Sequence, residues 1–135
     1  MASSSTRLQS IHHHHLFIFL VSFSLLQIIT TQDEQQADRV SFLPGQPRSP
    51  QVSQFSGYIT VDQHRGRALF YWFFEAQNLP SQKPLLLWLN GGPGCSSVGY
   101  GAASELGPLL INGNGTGLEF NKFAWNKGMP VLLFI

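Results

Sequence analysis

The run LLLWLNGGPGCSSV, residues 85–98, constrains this chain more than any other stretch, because a short apolar segment passes directly into a loop with three glycines in four positions. An apolar run of this length bounded by turn signals fits a strand buried on both faces of a parallel sheet. A glycine-dense loop lets backbone amides approach a bound group, since no Cβ stands in the way. In an open α/β sheet, the loop that leaves the C-terminal end of a central strand is where ligands are held. Three uses compete for such a loop: a phosphate cradle, a cradle for a developing oxyanion, or a tight turn.

The phosphate use fails on detail. A P-loop needs Lys and Ser or Thr after its last glycine, and the dinucleotide fingerprint needs G-x-G-x-x-G. Here Pro93 interrupts the glycines and no lysine follows. The better match is the glycine-rich loop after the third strand of an α/β-hydrolase, whose amide donates to the tetrahedral oxyanion of acyl transfer.

The rest of the chain supplies compatible elements. QFSGYITV, the turn-like DQHRG and the aromatic RALFYWFFEA predict a β-hairpin with strands near 55–61 and 68–75. SSVGYGAASEL is rich in small residues and predicts a short helix closed by Gly107 and Pro108. NGNGTG reads as a loop. VLLFI reads as a second buried strand and, in a partial sheet, as an exposed apolar edge that would template aggregation.

An apolar run, residues 16–29, follows Arg7 near the N-terminus. It is shorter than the roughly 20 residues needed to span a bilayer core and suits a secretory h-region, with cleavage near 30–32. Residues 1–31 are therefore expected to be a signal peptide, the only membrane contact expected. The four histidines 12–15 would leave with it, so no metal site is assigned to them. The segment 32–53, with LPGQP at its centre, predicts an irregular arm over a domain surface or a flexible lead-in. The domain proper is expected over 54–135. Of eight basic side chains, Arg7 would be removed, so seven face seven acidic ones. No basic surface remains to track a nucleic acid backbone, and that class of partner is set aside.

LLLWLNGGPGCSSVGYGAASELGP resembles the signature of the serine carboxypeptidase family, and SGYITV, GRALFYWFFEA and FAWNK agree with it over residues 42–135. The resemblance implies an α/β-hydrolase fold, here its N-terminal hairpin and the first strands of its central mixed sheet, and no cofactor or metal. It also implies roles. Gly92 is the oxyanion-hole amide, Asn90 and the Gly91 amide hold the C-terminal carboxylate of a peptide, Glu105 shares a hydrogen bond with that carboxylate, and Tyr100 joins the substrate-binding set. Cys95 is implied to form a disulfide with a downstream cysteine; as the chain's single cysteine it reads from sequence as buried or orphaned.

The family's nucleophile elbow and its Asp and His are not found in these residues. Neither Ser96 nor Ser97 stands in G-x-S-x-G, so both read as loop-ordering and helix-capping serines. Asp62 and His64 flank a hairpin turn and read as solvated. Asn114-Gly115-Thr116 is a glycosylation sequon in a polar loop, in keeping with a secretory route to the cell exterior or to a vacuolar or lysosomal compartment. The combined expectation is the N-terminal part of a serine carboxypeptidase acting on peptide C-termini, by itself inactive. A family acyltransferase and a non-catalytic truncated product are the alternatives, and the asparagine at position 90 favours the peptidase because it suits a carboxylate.

Overall fold

The computed structural model describes residues 3–134, with the side chains of 3–11 and 28–33 outside the description. It divides into two units, residues 1–37 and 38–135.

The first unit is one helix, α1, Ser3–Ala37. Among the described residues no helix is long and apolar enough to cross a membrane. Its apolar side chains from Leu16 to Leu26 are exposed. The helix continues past the expected cleavage region, whose side chains lie outside the described residues. The arm expected to be irregular from Gln32 is therefore helical to Ala37. EQQA supplies good helix formers, and the first proline or glycine after it is Pro44.

The second unit is built on a four-stranded mixed sheet in the order β1-β2-β6-β3. β1 (Gln54–Asp62) and β2 (Arg67–Phe74) form the expected antiparallel hairpin, with Phe55 opposite Phe73 and a bulge between Thr60 and Asp62. β3 (Leu86–Trp88) lies parallel to β6 (Val131–Phe134), which is antiparallel to β2. VLLF is thus an interior strand; Ile135 lies outside the described residues. The expectation of an exposed edge is corrected: the parallel crossover inserts it between β2 and β3, and β3 becomes the edge.

Two rows of side chains explain why β6 lies inside. Trp72, Leu133 and Trp88 stand opposite one another across three strands, as do Phe74, Val131 and Leu86. With a side-chain period of two, both rows point to the same face. There Ala102 and Leu106 cover them, closing a core in which Leu133 is 0% and Val131 1% exposed. Each such side chain contributes about 1.5–3 kcal/mol by leaving water.

The opposite face of β3 is open, with Leu87 51% exposed. LLLWL is therefore buried on one face, not on both, because among the described residues of this unit only the helix side has a covering layer.

That covering helix is Ser97–Glu105, wound with π spacing. Ser96 caps it, accepting from the Gly99 amide at 2.9 Å. Its end is fixed by the Leu106 amide donating to the Gly101 carbonyl at 2.9 Å. Gly107 permits the closure, since a Cβ there would sit 2.1 Å from the Ala102 carbonyl oxygen.

Two further strands were not expected: β4 (Leu109–Ile111) and β5 (Leu118–Phe120) pair around the NGNGTG turn. Of the arm, Asp38–Val40 lie against the β1 edge, while Gly45 accepts from Leu118 of β5 at 3.1 Å and Ser53 from Glu75 at 3.0 Å. Val40 donates to Gln54 at 3.0 Å, Ser56 donates to Asp38 at 2.9 Å, and the Tyr71 hydroxyl donates to Asp38 Oδ2 at 2.6 Å.

Candidate active site

The glycine loop leaves the C-terminal end of β3, beside the parallel β6, as the sequence predicts. Asn90 is its best-fixed residue. Trp88, two residues earlier, donates from Nε1 to Asn90 Oδ1 at 2.8 Å. The Asn90 amide donates to Ser97 Oγ at 3.0 Å, and Asn90 Nδ2 donates to Glu105 Oε2 at 3.2 Å. Strand end, helix start and helix end thus meet on one residue, the helix start at its backbone amide and the other two at its side chain.

The packing around it is tight. A Cβ on Gly101 would lie 2.7 Å from Asn90 Oδ1, 2.9 Å from Leu133 Cδ2 and 3.0 Å from Trp88 Cδ1. The Trp88 indole is itself held edge-on by Trp125, with centroids 5.3 Å apart.

Beyond Asn90 the loop is exposed from Gly91 to Cys95. Gly92 has φ +156°, and a Cβ there would meet the Gly94 and Cys95 amides at 2.9 and 3.1 Å. Glycine is required at this position by the close return of the chain. Gly91 has open space where a Cβ would stand. Among the described residues neither the Gly91 nor the Gly92 amide has a hydrogen-bond acceptor. Free amides on a solvent-facing loop are available donors for an anionic oxygen.

The structure therefore brings Asn90 and Glu105 together, next to the Gly91 and Gly92 amides. Tyr100 is on the same helix but 56% exposed, and no hydrogen bond links its hydroxyl to Asn90 or Glu105. Cys95 is a free, exposed thiol, so the buried alternative is set aside. Asn114 is exposed in the β4–β5 turn, where its Oδ1 accepts from the Thr116 hydroxyl at 2.7 Å.

Neither loop serine is placed as a nucleophile. Ser96 caps the helix, and Ser97 is 4% exposed with its Oγ occupied by the Asn90 amide. Asp62 accepts from the Arg65 amide at 3.1 Å within its own turn, as a solvated hairpin tip should. Trp88, Ser97 and Gly101 were not singled out in the sequence as supports of Asn90. The strand period offered one signal, since residues 88 and 90 fall on the same side of an extended segment.

A mixed sheet with a parallel strand that delivers a glycine loop to the N-terminus of a packed helix is part of an α/β-hydrolase fold. The chain belongs to the serine carboxypeptidase family, whose model matches residues 44–135. It is 71% identical over 101 residues to serine carboxypeptidase-like 26 of Oryza sativa subsp. japonica, covering 73% of this chain and 21% of that protein. It is 53% identical over 121 residues to serine carboxypeptidase 24 of Arabidopsis thaliana, covering 86% of this chain and 26% of that protein. Among solved structures it resembles Kex1Δp, a prohormone-processing carboxypeptidase from Saccharomyces cerevisiae, with a TM-score of 0.60 and 30% identity over 74% of this chain and 23% of that one. The chain spans about a fifth to a quarter of the length of these relatives.

Proposed function

We propose that these residues form the oxyanion donor and the carboxylate clamp of a serine carboxypeptidase that removes C-terminal residues from peptides. The observation that carries this reading is the Asn90–Glu105 hydrogen bond beside two unengaged glycine amides. Gly92 donates to the oxyanion as a serine from elsewhere in the complete enzyme attacks the last peptide carbonyl. Asn90, the Gly91 amide and Glu105 receive the free carboxylate, and that requirement makes the enzyme an exopeptidase. Tyr100, exposed on the same helix, is assigned to the wall of the substrate site. The N-terminal segment directs the chain into the secretory pathway, for an extracellular or vacuolar or lysosomal destination. Asn114 carries a glycan, and Cys95 pairs with a cysteine of the longer polypeptide.

A polypeptide of these 135 residues alone is expected to be inactive, since its sequence holds no G-x-S-x-G and its two loop serines are structural. Turnover of an N-blocked dipeptide, lost on Ser96→Ala or Ser97→Ala, would overturn that. In the longest polypeptide containing these residues, hydrolysis of a peptide but not of its C-terminal amide supports the clamp. Transfer of an acyl group to an alcohol as the main product would favour the acyltransferase instead.

A further inference from the structure

At the end of the sheet opposite the glycine loop lies a cavity of about 470 Å³. Its position follows from register: Phe74, the last residue of β2, faces Val131, the first of β6, which faces Leu86, the first of β3. Glu75, next along the chain, is thus placed away from Asn90. Glu75, Ser53, Gln77 and Asn126 contribute to the wall together with the apolar Val52 and Phe120.

The wall is electrostatically one-sided. No Lys, Arg or His contributes to it, so Glu75 is its one formal charge. The Glu75 carboxylate accepts from the Ser53 hydroxyl, a neutral donor that leaves the charge uncompensated. Behind it Asn126 is 3% exposed; its Nδ2 donates to the Glu75 carbonyl at 3.1 Å, and its own carbonyl accepts from Gln77 at 2.8 Å. Asn126 Oδ1 is buried and, among the described residues, has no hydrogen-bond partner. A buried acceptor without a donor is costly and asks for an explanation.

We infer that the cavity is a binding site for a guanidinium or ammonium group on a short apolar stem. The head pairs with the Glu75 carboxylate, most favourably as the planar guanidinium fork, and the stem lies along Val52 and Phe120. The same chemistry has two sources, a separate arginine-like ligand or a basic side chain of a longer polypeptide that contains these residues. The site does not depend on the role of the glycine loop.

The test is a titration of the 135-residue chain with N-acetyl-L-arginine amide and with the uncharged isostere N-acetyl-L-citrulline amide, read from amide NMR shifts. Saturable shifts at Ala76, Gln77 and the Asn126 side chain are expected, with citrulline weaker by about tenfold or more. Glu75→Gln is expected to weaken the arginine compound by a similar factor; if that variant does not fold, the comparison of the two ligands decides. A structure of the longest natural polypeptide containing these residues separates the sources. A Lys or Arg head at hydrogen-bond distance from Glu75 assigns the intramolecular one, and an open cavity that still takes the arginine compound assigns the ligand. Equal binding of the two compounds, no saturable shift, or a cavity filled by apolar side chains overturns the inference.

Discussion

The indole of Trp88 decides which way the Asn90 amide faces. Because Trp88 Nε1 donates to Asn90 Oδ1 at 2.8 Å, the NH₂ end is turned towards Glu105, where it donates at 3.2 Å. An indole N–H can only donate, so the arrangement has one sense. A clamp for a carboxylate needs that sense, with the donor end presented.

Trp88→Phe keeps the ring against Trp125 and removes the donor. Asn90 is then free to rotate, and the lost bond is worth about 0.5–1.5 kcal/mol. In a polypeptide with complete catalytic machinery, KM for a free peptide is expected to rise roughly two- to tenfold, with the C-terminal amide unaffected. A uniform loss on both substrates would remove the orienting role.

In the proposed clamp, Glu105 and a bound carboxylate share the Asn90 Nδ2 donor. Glu105→Ala removes the acceptor that holds Asn90 Nδ2 and, in a polypeptide with complete catalytic machinery, is expected to raise KM for a free peptide roughly two- to tenfold and to spare its C-terminal amide. An unchanged KM in the variant would take Glu105 out of the clamp.

Two glycines of the site are expected to respond oppositely to alanine. Gly101→Ala places a methyl 2.7 Å from Asn90 Oδ1 and 2.9 Å from Leu133, an overpacking expected to cost about 1–3 kcal/mol. Gly91→Ala meets open space, and its backbone is not among the positive-φ glycines, so a change within about 0.5 kcal/mol is expected. Urea midpoints of the two variants check the contrast.

Tyr71 offers a test of the arm. Burial, then the hydrogen bond to Asp38 and the charge of Asp38, push its pKa from 10.0 up to about 12. The folded value lies above the unfolded one, so the stabilisation is complete below pH 10 and is lost as pH rises towards 12. Asp38→Asn is expected to lower the phenol's pKa in a ¹³C NMR titration, and an unchanged value would show that burial acts alone.

The local features of the fold were legible in the sequence. Aromatic alternation around DQHRG marked the β1–β2 hairpin, and the glycine cluster marked the loop that follows β3. Serine types at 96 and 97 were correctly read as capping and loop-ordering, because the elbow pattern was missing. Non-local features were not legible. Nothing within VLLF tells that it lies between β2 and β3, since its two neighbours are distant in the chain and its apolar side chains would suit an edge or an interior strand. β4 and β5 are three residues each, too short to show a period. The close approach of Gly101 to Asn90 goes with its packing against Leu133, which sequence order does not reveal.

The strand order also sets a timetable. As the polypeptide leaves the ribosome, the β1–β2 hairpin can close on its own, because its contacts are local. β3 emerges next with nothing to pair with, and its leucines wait beside an unpaired β2 edge until Val131–Phe134 appears. Only then can Trp72, Leu133 and Trp88 align and the loop at Asn90 take its shape. A nascent chain held just short of β6 would present two sticky edges at once, and during that interval it depends most on chaperones.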